Sequence, residues 1–345
     1  MSTDALAAAR KLLPLISQAR EATESQRRIA EPLVGAIRAS RLARIGLPVS
    51  LHGLALPLPE ALPIYECLAG AEASLGWIVW NNALPAYFGR FLRPDARAEV
   101  FADPDWLYAG STRPSGTAEI EGESLRVSGR WSLVSGCELA EWIAVRCVIT
   151  EHGTPRMIQP GVPEVRMVYL RRGSFQILDT WHTGGLRGTG SHDIVVESQA
   201  VSRRLTLSPM DGSTLEGTLG RLPIVSSMTA GYAAQLLGLG QACLDSLIAL
   251  AREKPVVDPG PSLGERPVVL ALIAEHQCRL RAAREHLHSS ARTLWQAAES
   301  GTHDLAHIAA LFGAAHHAMA QGRAAVSAAY AAAGATSLYT SSPLE

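Results

Sequence analysis

The sequence predicts an α+β protein in which a helical N-terminal domain, a central β-domain and a C-terminal helical bundle follow one another along 345 residues. Three observations carry this. Apolar residues recur at three- and four-residue spacing before about residue 104 and again after Ser208, the period of helices with one buried face. Between about Trp106 and Leu207 the apolar runs are short and broken by Gly and Pro, which is the texture of strands. Within Tyr108–Trp142 the Gly, Ser and Thr residues gather at turns, where bare backbone and hydroxyls are free to grip a planar ligand.

The first domain is expected over residues 1–104. Its helical pattern runs from Leu6 to Arg44, divided or kinked at Pro14 and Pro32, and stops at Gly46 and Pro48, because proline cannot continue a helix interior. A second helical portion, rich in Ala, Leu and aromatics, spans Leu58 to Phe101. The β-domain is expected over 105–208. Alternation is visible in Leu125-Arg126-Val127-Ser128 and again in Trp131-Ser132-Leu133-Val134, the mark of half-buried strands. The runs 142–149 and 165–170 read as further strands. The third domain, 209–345, opens with its clearest helix at 229–254. A loop with four prolines from Pro255 to Pro267 precedes two long helices, Val268 to about Ser300 and Thr302 to Ala333. Their Ala and Gly content favours close helix packing, within the bundle and between subunits of a homo-oligomer, either dimer or tetramer.

Composition narrows the function classes. The net charge is −1 with 18% charged residues and no basic block, so neither nucleic acid nor an anionic membrane is expected as a partner. The N-terminal segment is amphipathic and broken by charges, unlike a signal peptide, and no charge-free apolar stretch of membrane-spanning length is expected. A cytoplasmic protein is the expectation. Its five cysteines (Cys67, Cys137, Cys147, Cys243, Cys278) are widely spaced without a CxxC, reading as reduced thiols rather than a disulfide framework. His303 and His307 lie four apart beside Asp304, but a third ligand is lacking and a helix start capped by Thr302 explains them, so no metal is expected. There is no GxSxG elbow, no P-loop and no dinucleotide GxGxxG after a strand. Any NAD(P)H would therefore be oxidised by a separate protein.

Several blocks together carry a family likeness. They are Ala73-Ser74-Leu75-Gly76-Trp77, Gly110-Ser111-Thr112-Arg113-Pro114-Ser115-Gly116, Ser128-Gly129-Arg130-Trp131 with Ser135-Gly136, and Thr180-Trp181 with Gly185-Leu186-Arg187-Gly188-Thr189-Gly190-Ser191. With the order of the domains they make the chain resemble the acyl-CoA dehydrogenase-like superfamily over nearly its whole length. The resemblance is to its oxygenase branch, the two-component flavin-dependent monooxygenases. It implies a central β-barrel or sandwich, a flavin cofactor (FAD or FMN) supplied reduced by a partner flavin reductase, O2, and a small organic substrate.

The resemblance also assigns residues. The family's serine or threonine at the position of Ser135 hydrogen-bonds the flavin near N5 and helps hold the oxygen adduct of the reduced flavin in a dry pocket. Ser135 is thus a catalytic and cofactor-binding candidate, with Gly136 beside it. Gly110, Ser111 and Thr112 fall where relatives contact the ring edge, although an ST-turn at a strand end accounts for the two hydroxyls as well. Arg187 is the candidate for a phosphate or carboxylate contact. Trp131 and Trp142 are assigned to the β-core.

Departures from the pattern keep two rivals open. Asn82 stands where the branch commonly carries a histidine; it is the second catalytic candidate, yet an amide is no base near neutral pH. Gly334-Ala335-Thr336-Ser337-Leu338-Tyr339 leads to Pro343-Leu344-Glu345, short of the family's last helix with its catalytic histidine or glutamate, a role not carried over to Glu345. Gly260 replaces the arginine with which dehydrogenases hold the FAD diphosphate. The rivals are an acyl-CoA dehydrogenase-type enzyme using FAD, and a catalytically impaired flavin-binding paralogue or oligomer partner.

Overall fold

Proline and glycine set most of the helix boundaries. The structure, a computed structural model, describes residues 2–255, 261–339 and 341–344; Gly260 and Glu345 lie outside the described residues. Helices α1 (Ser2–Lys11), α2 (Leu13–Gln26) and α3 (Glu31–Ser40) divide close to Pro14 and Pro32, which sit in the first turns of α2 and α3. There a missing N–H costs nothing, because first-turn donors have no intrahelical acceptor. The later helices are α4 (Leu58–Ala71), α5 (Ala73–Gly89), α6 (Pro94–Val100), α7 (Thr218–Arg221), α8 (Ile224–Glu253), α9 (Pro267–Glu299) and α10 (Leu305–Ala333). Helix α10 starts at Asp304, whose carboxylate accepts from the His307 N–H at 3.1 Å. The cap is Asp304 rather than the expected Thr302, and it ties up the acid that a His303–His307 metal site would need.

The strands are β1 (Leu107–Glu121), β2 (Ser124–Trp131), β3 (Ala140–Glu151), β4 (Thr154–Pro155), β5 (Met157–Gln159), β6 (Val162–Pro163), β7 (Val165–Arg171), β8 (Gln176–Leu178), β9 (Asp193–Ser202) and β10 (Thr206–Leu207). The main sheet runs β10-β7-β3-β1-β2-β9-β8, with β4 on β3 and β5–β6 paired separately. Pairing is antiparallel except for β1 with β3. Strand β3 is buried on both faces over most of its length, which explains an apolar run from Trp142 to Ile149 interrupted only by Arg146. Ile143, Val145 and Cys147 enter one core with Leu125, Val127 and Trp131, while Trp142 and Ala144 enter another with Tyr108, Phe101 and Tyr169. Both tryptophans are therefore core residues, as expected. The second alternating run does not hold. Strand β2 ends at Trp131, and Leu133 turns out to solvent, 50% exposed, with a left-handed φ of 60°. A turn inserted after Trp131 puts Leu133 on neither face of the sheet.

By compactness the chain forms two units: Met1–Leu13, Pro57–Gly76 and Val225–Glu345 in one, Pro14–Leu56 and Trp77–Ile224 in the other. In the first, glycine lets α8 approach its neighbours closely. A Cβ on Gly238 would meet the Glu66 carbonyl oxygen of α4 at 2.1 Å, and one on Gly322 of α10 the Leu236 carbonyl oxygen at 2.4 Å. Helix α8 corrects one expectation from the sequence. Ile224 through Leu244 carries no charged residue, and α8 is by length and composition long and apolar enough to cross a membrane. Ser226, Ser227 and Gln235 are among its buried residues, polar groups that a helix packed against other helices can enclose.

In the second unit Arg44 is the anchor. Its guanidinium, 1% exposed, donates to the carbonyls of Leu51, Phe101 and Asp103 at 2.8, 2.9 and 2.9 Å and to the Tyr108 hydroxyl at 3.0 Å. Burial pushes the Tyr108 phenol up to about 12. A buried charge is tolerable when neutral dipoles meet both of its terminal nitrogens, although its Nε is left without a partner.

Candidate active site

The edge of the site is set where β1 leaves regular pairing. Gly110 pairs with Ala144, and a Cβ there would meet the Ala144 carbonyl oxygen at 2.7 Å. After Ser111, which is buried, the register against β3 shifts twice before Gly116. Thr112 is exposed, and its carbonyl accepts from Arg146 at 3.2 Å. The irregularity makes room for Trp131. A Cβ on Gly116 would lie 2.1 Å from that ring, and the ring's N–H donates to the Arg146 carbonyl at 2.9 Å.

Two turns meet beside it. The turn after Trp131 and the turn at Leu186–His192 are joined by backbone bonds from the Val134 N–H to the His192 carbonyl, 3.0 Å, and from the Gly136 N–H to the Thr189 carbonyl, 2.8 Å. Gly136 has φ 73°, which only glycine adopts cheaply, and a Cβ there would press on Ile78 at 3.0 Å. Leu133 and Leu186 hold positive φ values of 60° and 53° without that licence. Such strain on both turns is kept where the surroundings over-determine it, commonly at functional sites.

At the junction lies a chain of polar side chains. The Trp77 indole N–H donates to the Ser135 hydroxyl at 2.9 Å, Ser135 and Ser191 hydroxyls are 2.7 Å apart, and Ser191 and Thr189 hydroxyls 2.6 Å apart. Thr189 then donates to the Leu186 carbonyl at 2.8 Å. Ser135, Ser191 and Thr189 are all buried. Asn81 holds the Ser135 carbonyl through its amide at 3.2 Å, and Trp77 stacks at a tilt on Trp80, centroids 5.0 Å apart.

The remaining candidates are engaged elsewhere. Asn82, 1% exposed, donates to the Ile78 carbonyl at 3.0 Å and accepts the Tyr108 backbone N–H at 2.6 Å. That makes it a pin between α5 and β1, and the asparagine that reaches Ser135 is Asn81. Arg187 donates to the Thr183 and Glu24 carbonyls, both at 3.2 Å, with the Glu24 carboxylate 3.5 Å away. An anion at Arg187 would meet that carboxylate, so the geometry favours a loop clamp over the phosphate contact expected of it. Nearby, Arg27 grips Asp179 with two bonds of 2.7 and 2.9 Å and holds that carboxyl down at about 2. His192 Nδ1 accepts from the backbone N–H groups of Thr180 and Trp181, both at 3.2 Å, so the ring hydrogen sits on Nε2.

The set suits the polar edge of a planar heteroaromatic ring: a buried hydroxyl, glycine backbone on each side, and aromatic rings flanking it. Ser135 and Gly136 belong to this cluster, whereas Gly110 and Ser111 pair with β3 and the Thr112 carbonyl accepts from Arg146 of that strand. Trp77, Asn81, Thr189 and Ser191 have roles that sequence reasoning did not assign. The signal available for the last two was only the pair of hydroxyls flanking Gly190.

Comparison with known proteins points the same way. Residues 230–345 match the family described as acyl-CoA dehydrogenase, C-terminal domain. The chain is similar to indole-3-acetate monooxygenase of Pseudomonas putida, 29% identical over 79% of this chain and 68% of that one. It is 25% identical, over the same shares, to the oxygenase component of an FADH2-dependent resorcinol hydroxylase of Rhizobium. The structure of XiaF from Streptomyces, in complex with FADH2 and glycerol, superposes with TM-score 0.90 at 22% identity, covering 99% of this chain and 88% of that one. Residues 230–345 thus carry the acyl-CoA dehydrogenase C-terminal domain, and in the order of its elements and its motif blocks the whole chain is similar to the oxygenase components of two-component flavin-dependent monooxygenases.

Proposed function

We propose that this protein is the oxygenase component of a two-component monooxygenase. It takes reduced FAD or FMN from a separate flavin reductase and uses O2 to oxidise a small organic substrate. The observation that carries the reading is the buried Ser135 hydroxyl, 5% exposed and wired through Ser191 and Thr189. Names of the relatives support it: two are monooxygenases or hydroxylases acting on small aromatic compounds, and one depends on FADH2. A reduced flavin would supply the electrons that activate oxygen. The protein's part is to hold one edge of the ring at Ser135 and Gly136, with Gly110, Ser111 and Thr112 serving as further contacts along β1. Burial of the hydroxyl network keeps water from competing for those bonds. A β-domain at 105–208 between two helical domains, a cytoplasmic location and a homo-oligomer, dimer or tetramer, complete the proposal.

A flavin-binding chain without turnover is the second reading. It is favoured by Asn82, whose amide is spent on backbone groups, leaving the family's usual acid–base position without a titratable side chain.

The test is anaerobic mixing of the protein with reduced FMN or FAD, and then with oxygenated buffer. Return of oxidised-flavin absorbance is expected to be slower than for free reduced flavin, and oxygen uptake to be coupled to loss of an added indole or phenol. Reoxidation at the rate of free flavin sinks the oxygenase reading. Bleaching of bound oxidised FAD by an acyl-CoA would point to a dehydrogenase instead.

A further inference from the structure

The hydroxyl chain at the site can be protonated in one direction only. Thr189 has a single hydroxyl hydrogen, and it is committed to the Leu186 carbonyl, which can only accept, at 2.8 Å. The 2.6 Å contact between Thr189 and Ser191 therefore uses the hydrogen of Ser191. The 2.7 Å contact between Ser191 and Ser135 in turn uses the hydrogen of Ser135. At the far end the Trp77 indole can only donate, so Ser135 accepts from it at 2.9 Å. Each hydroxyl gives one bond and takes one, and the whole run points from Trp77 to the Leu186 carbonyl. Ser135 is left with no hydrogen to offer and one lone pair still open. Any ligand atom that meets this oxygen must be a donor.

The two oxidation states of a flavin differ at that point. N5 of the reduced ring carries a hydrogen and donates; N5 of the oxidised ring carries a lone pair and only accepts. We infer that Ser191 and Thr189 are positioning residues that lock the Ser135 hydroxyl as an acceptor, so that the site takes reduced flavin in preference to oxidised flavin. This rests on the reading that the flavin edge lies against Ser135. A site wired this way would keep spent, oxidised flavin from occupying it while the reductase delivers the reduced form.

The polarity, and not merely the presence of Ser135, can be tested. Ser191→Ala removes the acceptor of the Ser135 hydrogen, which is then free to donate to an oxidised N5. Thr189→Val removes the acceptor of the Ser191 hydrogen and lets the chain reverse, whereas Thr189→Ser keeps it. The full chain and these variants are titrated anaerobically with oxidised and with reduced FMN and FAD, and the midpoint potential of the bound flavin is measured. The wild type should bind the reduced form more tightly. In Ser191→Ala and Thr189→Val the ratio of oxidised to reduced dissociation constants should fall about tenfold, the effect of one exchanged hydrogen bond. The bound potential should drop by about 30 mV with it. Thr189→Ser should match the wild type in both, which a general packing defect would not allow. An unchanged ratio and potential in Ser191→Ala and Thr189→Val, with flavin still bound, overturns the inference and leaves the flavin reading standing. Failure of the wild type to bind either form overturns both.

Discussion

At the scale of single residues, the site shows what a sequence reveals and what it withholds. The Gly- and Ser-rich pattern marked only a turn region, and it was the family likeness that singled out Ser135 within it. Its partner Ser191 is 56 positions away, and the direction of their bond is decided by the Leu186 carbonyl, which no residue type announces. Asn82 was singled out by its family position, which does not show that its amide donates to the Ile78 carbonyl and accepts the Tyr108 N–H. Its Oδ1 accepts the buried Tyr108 N–H at 2.6 Å, so Asn82→Ala would strand a backbone donor in the core. We expect that variant to lose about 1–3 kcal/mol in denaturant unfolding, and Asn82→Asp, which keeps the acceptor but sets an oxygen against the Ile78 carbonyl in a buried site, to lose at least as much.

At the scale of elements, boundaries were legible wherever proline or glycine acts. Pro14 and Pro32 fall in first helical turns, as their fixed φ and missing donor require. The false strand at Trp131–Val134 arose because an alternating pattern also describes a turn in which one apolar residue points outward. Loop positions are fixed by ion pairs that no pattern shows. The segment 179–192 is held to the end of α2 by Asp179 and Arg27, and Arg27 holds the Asp179 carboxyl at about 2, below its ordinary 3.8. With the folded value depressed, the tie is fully present above about 3.8 and is lost as pH falls toward 2. Amide exchange in 179–192 should rise over that acid window before the strands open, and Asp179→Asn should show the raised exchange already at neutral pH.

For the whole molecule, the order helix, strand, helix was readable, and the buried thiols test how well the β-core is closed. Burial pushes Cys137 and Cys147 up to about 12 from an ordinary 9.0, while Cys278 is exposed. A folded value raised above the unfolded one gives stability that is present below pH 9 and drains away as pH rises toward 12. In the native protein a thiol reagent should label Cys278 quickly and Cys137 and Cys147 only after unfolding; prompt labelling of the last two would mean that the core opens locally. What the order of the chain hides is that α1 and α4 belong with α8, α9 and α10. Synthesis on the ribosome proceeds from one end, so α1 and α4 emerge long before the helices that cover them. The unit of Pro14–Leu56 and Trp77–Ile224 has all its residues first. Until the stretch from Val225 onward has emerged, Ala9, Leu62, Ile64 and Leu68, all buried at the end, wait as sticky surface on a half-made chain. Nascent-chain chaperones would meet this protein at those two helices.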